Sequence, residues 1–101
     1  MRSVTVHDLK AALEQGPTQL IDVREPHEYA DGHVPGAEPM PLMSVPQRVD
    51  ELPTDRPVYV VCAVGGRSAQ AAAFLAARGV DAVNVDGGTV DWVAAGYPVE
   101  R

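Results

Sequence analysis

A single cysteine, Cys62, is present among 101 residues. No disulfide can therefore close within the chain, and an oxidising compartment offers it no structural gain. Lysine is as scarce: Lys10 stands alone, the remaining positive charge is arginine, and the formal net charge is -6. That balance argues against non-specific nucleic-acid binding, which rests on Lys and Arg neutralising phosphates. No apolar run approaches the length that spans a bilayer, and the N-terminal MRSVTVHDLKAALEQG lacks the apolar stretch of a secretory signal. The expectation is a cytoplasmic protein with neither nucleic acid nor membrane as partner. The three histidines, His7, His27 and His33, are dispersed and have no second cysteine beside them. They form no recognisable zinc site, and no metal or cofactor is expected.

Repeats, low-complexity tracts and linker-like composition breaks are also missing. The length fits one domain, residues 1–101. A chain of this size buries roughly two thirds of its unfolded surface, enough for one core without a staple.

What is present is a regular alternation of short elements punctuated by Gly and Pro. Val4 to Leu13 reads as a brief extended entry into a helix, with Thr5 as N-cap and Gly16-Pro17 as the stop. Gln19–Val23 is a short apolar run of the buried-strand type, and Glu25–Ala30 suits a single helical turn. Gly32–Ala37 is turn chemistry before another short strand, and Ser44–Leu52 has helical spacing. Pro57–Val61 is β-branched and apolar on both faces, as a central parallel strand should be. Ser68–Arg78 is Ala-rich and helical, Asp81–Val85 is a strand, and Gly88–Ala95 a final short helix. Strands alternating with helices point to an α/β domain with a mostly parallel sheet.

Chemistry concentrates in Cys62-Ala63-Val64-Gly65-Gly66-Arg67-Ser68. A central strand ends at Cys62, a glycine-bearing loop follows, and a helix begins near Arg67 or Ser68. Ligands of open α/β sheets bind at the carboxyl ends of strands. Gly65 and Gly66 let backbone N–H groups turn inward beside a helix N-terminus, and Arg67 adds a fixed positive charge. Each feature favours a thiolate. A free thiol is only about 3% ionised at pH 7, and lowering its pKa by two units needs roughly 2.7 kcal/mol. Hydrogen bonds to a charged group contribute about 1.5–3 kcal/mol each, so one or two loop amides suffice. A lone cysteine in an apolar strand is often only a small buried hydrophobe. Core packing, however, does not require the Gly-Gly-Arg that follows here.

The Cys62–Arg67 segment resembles the active-site loop of the rhodanese family, a cysteine followed by five residues with glycine and a terminal Arg or Thr. Asp22-Val23-Arg24-Glu25-Pro26-His27-Glu28-Tyr29 with Gly32-His33-Val34-Pro35-Gly36-Ala37 is similar to that family's N-terminal signature. Asp86-Gly87-Gly88, then Trp92 and Gly96-Tyr97-Pro98, is similar to its C-terminal one. The likeness runs from about Val4 to Pro98. It implies a five-stranded parallel sheet flanked by helices on both faces. It also implies a sulfurtransferase in which Cys62 accepts sulfane sulfur as a persulfide, held by the N–H groups from Ala63 to Ser68, and passes it to a thiophilic acceptor such as cyanide. The implied partners are a small sulfur-containing substrate or a protein persulfide donor; no oligomeric interface is legible.

Two departures and two alternatives bear on that reading. Ala63 stands where many larger family members carry Arg, so the mouth loses charge that would attract a dianionic donor. Modest thiosulfate affinity, with a persulfide or polysulfide as natural donor, is the expectation. A cysteine phosphatase or arsenate reductase would have a longer loop between Cys and Arg. A non-catalytic docking module of the same family would usually lack the cysteine.

Asp22, Arg24 and His33 are expected to be structural supports: the first two hold loops near the site, and His33 anchors a loop. His7 and His27 read as surface residues. Glu25, Glu28 and Asp31 read as a solvated face, with Glu28 a possible partner of Arg24. Trp92 should pack the last helix on the sheet, and Met40 and Met43 should pack in the connection after the second motif.

Overall fold

Strand and helix alternate throughout the computed structural model, which describes residues 1–101. Strand β1 (Arg2–Val4) leads into helix α1 (Val6–Gln15), β2 (Gln19–Asp22) into α2 (Pro26–Asp31), and β3 (Glu38–Pro39) into α3 (Val45–Arg48). Then follow β4 (Pro57–Val61), α4 (Gly66–Ala77), β5 (Asp81–Val85) and α5 (Gly88–Ala94). The strands form one sheet in the order β1-β5-β4-β2-β3, and all four pairings are parallel. No helix is long and apolar enough to cross a membrane.

Thr5 caps α1 through a reciprocal box with Asp8: the Asp8 amide donates to the Thr5 hydroxyl and the Thr5 amide to the Asp8 carboxylate. Two of the orphan donors of a helix start are thereby satisfied. At the start of α2 Pro26 supplies a preset φ, Glu28 accepts the Glu25 amide at 3.0 Å, and the Glu28 amide donates to the Glu25 carbonyl.

Helices cover both faces. One apolar cluster joins Ile21, Val58, Val60 and Ala82 of the sheet to Val45 of α3 and to Ala71, Ala72 and Leu75 of α4. The other joins Leu20, Val61 and Val85 to Val6 and Leu9 of α1 and Trp92 of α5. The period of two in β4 therefore sends Val58, Val60 and Cys62 to the α4 face and Val61 to the other. Trp92 is buried, and its indole N–H donates to the Pro98 carbonyl at 2.7 Å.

Ser44–Leu52 is not one helix. It is a 3₁₀ turn over Leu42–Ser44, a four-residue α3 and a second 3₁₀ turn over Val49–Glu51. Pro46 lies in the first turn of α3, where its missing N–H costs no intrahelical bond, and the backbone tightens to 3₁₀ geometry from Val49. Met40 is wholly buried, whereas Met43 is 84% exposed. Helix α4 starts at Gly66, one or two residues before the start expected at Arg67 or Ser68.

The strand order locates the chemistry. The connection leaving β2 leads to β3 on one side, and that leaving β4 leads to β5 on the other. The adjacent carboxyl ends of β2 and β4 thus form the switch point where open α/β sheets bind ligands. Asp22 closes β2 there, and Cys62 follows β4.

Candidate active site

Carbonyl direction decides what the loop after β4 can do. The Cys62 carbonyl accepts the Thr89 amide at 2.9 Å and the Thr89 hydroxyl at 3.1 Å. The Ala63 carbonyl accepts the Val90 amide at 3.0 Å, and the Val64 carbonyl accepts the Gly87 amide at 3.1 Å. Thr89 and Val90 lie in the first turn of α5, where N–H groups have no partner within the helix. Their need for acceptors is met by pulling the loop carbonyls outward. In a planar trans peptide the N–H points opposite to the C=O, so the following amides of Val64 and Gly65 face inward.

The Gly65 amide donates to Cys62 Sγ at 3.1 Å. The Gly65 carbonyl accepts the Ala69 amide, which opens α4, and the Ser68 hydroxyl. The Cys62 thiol donates to that Ser68 oxygen at 3.3 Å. On ionisation of the thiol the Ser68 hydroxyl can rotate to donate to sulfur instead. Burial is the largest single influence on Cys62 and pushes its thiol up. The Ser68 hydroxyl and the amides of Ser68, Gly65 and Val64 together push it down further, and the thiol lies below its ordinary value. Of the amides from Ala63 to Ser68, that of Gly65 is hydrogen-bonded to Cys62 Sγ, and those of Val64 and Ser68 also favour its charged form.

Two glycines make this geometry possible. Gly65 caps α4 at φ +119°, a region L side chains rarely adopt. Gly88 has φ +54°, and a Cβ there would lie 2.4 Å from the Cys62 carbonyl oxygen. The close approach of α5 to the loop therefore requires Gly88. Sequence reading missed Thr89 and Gly88 as site supports; the paired glycines at Gly87-Gly88 were the available signal.

The charged residues are arranged differently from expectation. Arg67 does not offer a free cation: Nη1 and Nη2 donate to Glu28 Oε1 and Oε2 at 2.8 and 3.0 Å. Glu28 is accordingly half-buried rather than fully solvated, and its partner is Arg67 rather than Arg24, while Glu25 and Asp31 are exposed as expected. The hydrogen bonds from Arg67 hold its carboxyl at about 2, well below the usual 4.5. Glu28 and Arg67 face one another because α2 and the first turn of α4 meet at the same sheet end.

Arg24 is held by Asp22, with Nε donating at 3.0 and 3.1 Å and Nη2 at 2.8 Å. Both side chains are buried, and Arg24 Nη2 also donates to the Gly32 carbonyl at 2.9 Å, tying β2 to the end of α2. His33 stacks on Tyr29 with centroids 3.7 Å apart, its Nδ1 is 2.9 Å from the Tyr29 carbonyl, and its backbone bridges to Glu100. Its partners are Tyr29 and Glu100, not the Cys62 loop. His7 is exposed and bonded to the Tyr97 hydroxyl at 2.7 Å.

Cys62 is 1% exposed. Beside its loop lies an open depression of about 320 Å³ walled by Arg24, Ala63, Thr89, Val90 and Val93. A separate cleft lined by Thr18, Gln19, Arg56 and Pro57 lies at the amino ends of β2 and β4, away from the thiol.

Comparison with known proteins agrees with this geometry. The profile of the rhodanese-like domain matches residues 5–95. A sulfurtransferase of Allochromatium vinosum is 41% identical over 81 residues, 79% of this chain and 76% of that protein. An uncharacterized protein of Bacillus subtilis is 40% identical over 93 residues, 91% of this chain and 72% of its own length. Among solved structures, a rhodanese-like domain protein from Staphylococcus aureus superposes with a TM-score of 0.86 at 41% identity, covering 91% of both chains.

Two outcomes follow from the site. Gly88→Ala should destabilise the fold by about 1–3 kcal/mol through its backbone conformation alone, with the clash adding to that. Gly66→Ala, where a Cβ meets nothing within 4 Å, should be neutral or stabilising; urea unfolding of both variants is the check, and equal midpoints would contradict the close approach. The Glu28 carboxyl is lowered from 4.5 to about 2 on folding, so its contribution to stability is complete above 4.5 and is lost as pH falls toward 2. The stability difference between wild type and Glu28→Gln should shrink across that window in urea melts at stepped pH.

Proposed function

The chain belongs to the rhodanese-like domain family, and on that footing we propose that it is a sulfurtransferase working through a persulfide on Cys62. The observation that carries the reading is the contact of Cys62 Sγ with the Gly65 amide at 3.1 Å and the Ser68 hydroxyl at 3.3 Å, in a loop whose Cys62, Ala63 and Val64 carbonyls are turned outward.

In the first half-reaction the Cys62 thiolate attacks the sulfane sulfur of a donor. With thiosulfate, a Cys62–S bond forms, the donor S–S bond breaks, and sulfite leaves with the electron pair. With a persulfide R–S–SH the terminal sulfur is transferred and R–S⁻ leaves. The product is a Cys62 persulfide, whose negative charge suits inward amides and a helix N-terminus. In the second half-reaction a thiophilic acceptor attacks the outer sulfur and restores the thiolate; cyanide leaves as thiocyanate. No proton has to move in the thiosulfate-to-cyanide sequence, so the site needs no general base. The reaction partners in this reading are small sulfur compounds or a protein persulfide, and the lone thiol suits a reducing, cytoplasmic setting.

Intact-mass measurement after incubation with thiosulfate or a polysulfide tests the proposal. The wild type should gain one sulfur atom, lose it to cyanide with formation of thiocyanate, and gain none as Cys62→Ser. A folded wild type that takes sulfur from no donor would instead favour a docking module.

A further inference from the structure

Every cation at the mouth of this site is already matched. Arg24 is buried on Asp22, and Arg67 is held in a two-point fork by Glu28. The Glu28 side chain is also held from within its own helix, because its Oε1 accepts the Glu25 amide at the start of α2. Arg67 sits in the first turn of α4, directly after the Cys62 loop, with Glu28 as its hydrogen-bonded partner, and a thiolate at Cys62 would add to the favourable field on its guanidinium. The surface around the loop is apolar rather than cationic: Val64 is 65% exposed, and Val90 and Val93 are each 55% exposed.

We propose that Glu28 is a specificity-determining residue which, by clasping Arg67, turns Cys62 away from oxyanionic sulfur donors and toward alkyl persulfides. This inference rests on the sulfurtransferase reading. Thiosulfate brings two negative charges to a thiolate and departs as dianionic sulfite, so its transition state gathers negative charge beside Cys62. Arg67 could stabilise that charge only by leaving Glu28, and Glu28 itself repels the incoming anion. An alkyl persulfide asks for less: the thiolate takes its terminal sulfur, the S–S bond breaks, and a single R–S⁻ leaves, with the alkyl group against Val64, Val90 and Val93. Glu28 thus acts by exclusion, as specificity often does.

The test compares kcat/KM for thiosulfate, for cysteine persulfide, and for a persulfide formed on a single-cysteine carrier protein, with cyanide as acceptor. The last two separate a small donor from a protein one. Glu28→Gln should raise kcat/KM for thiosulfate about tenfold, mainly through KM, while the better persulfide donor changes by less than about twofold. The gain should vanish in Glu28→Gln/Arg67→Gln, because it comes from the released guanidinium. Should Glu28→Gln fail to fold by circular dichroism, the wild type supplies the answer. Its thiosulfate reaction should be flat or rising with ionic strength if Arg67 is engaged, and a steep fall would overturn the proposal. Equal effects of Glu28→Gln on all donors, or none, would also overturn it and leave the sulfurtransferase reading standing. A wild type inert to every donor would overturn both.

Discussion

The first turn of α5 draws the carbonyls of Cys62 and Ala63 outward, and Gly87 just before it does the same to Val64. Three hydrogen bonds from backbone amides and one from the Thr89 hydroxyl thus decide the orientation of the peptide planes around the sulfur. Peptide planarity converts that outward pull into inward donors. A helix start that would otherwise leave unsatisfied N–H groups is completed by a loop that would otherwise leave unsatisfied carbonyls. The glycines at 65 and 88 permit the arrangement, one by its left-handed backbone and one by having no Cβ in the contact. Remove that contact and the amides of Val64 and Gly65 lose the reason to face Cys62.

Charge around the site is balanced at short range rather than left free. Burial opposes ionisation of Cys62, and oriented hydrogen bonds overcome it. The net preference is built from dipoles, with the nearby guanidinium committed to Glu28. Backbone dipoles held in place by the fold need no reorganisation as charge on the sulfur changes, which is the general advantage of a preorganised site. The same balance leaves a mouth with exposed valines and matched cations, unlike one built to collect small anions.

Much of this architecture is legible from residue order. β4 is recognisable because Pro57–Val61 is apolar and β-branched on both faces, and alternation within it then sends Cys62 toward α4. Thr5 and Gly16-Pro17 bound α1 by cap chemistry that acts over a few residues. Local pattern stops where long-range partners begin. Glu28 and Arg67 are 39 residues apart, and nothing near either predicts the other. The start of α4 falls one or two residues before the expected Arg67 or Ser68 because Gly66 looks like loop, although Gly65 alone supplies the cap. Ser44–Leu52 has a helical apolar period, yet its backbone passes from α to 3₁₀ geometry at Val49, since periodicity reports which face is buried and not which hydrogen bonds the backbone makes.

Because Cys62 is the only thiol, its ionisation can be followed without interference by titrating thiolate absorbance in the native and the urea-unfolded protein. The account predicts a native midpoint below that of the unfolded chain. A native midpoint equal to the unfolded one, or above it, would mean that burial outweighs the oriented donors and would contradict the cradle on which the chemistry depends.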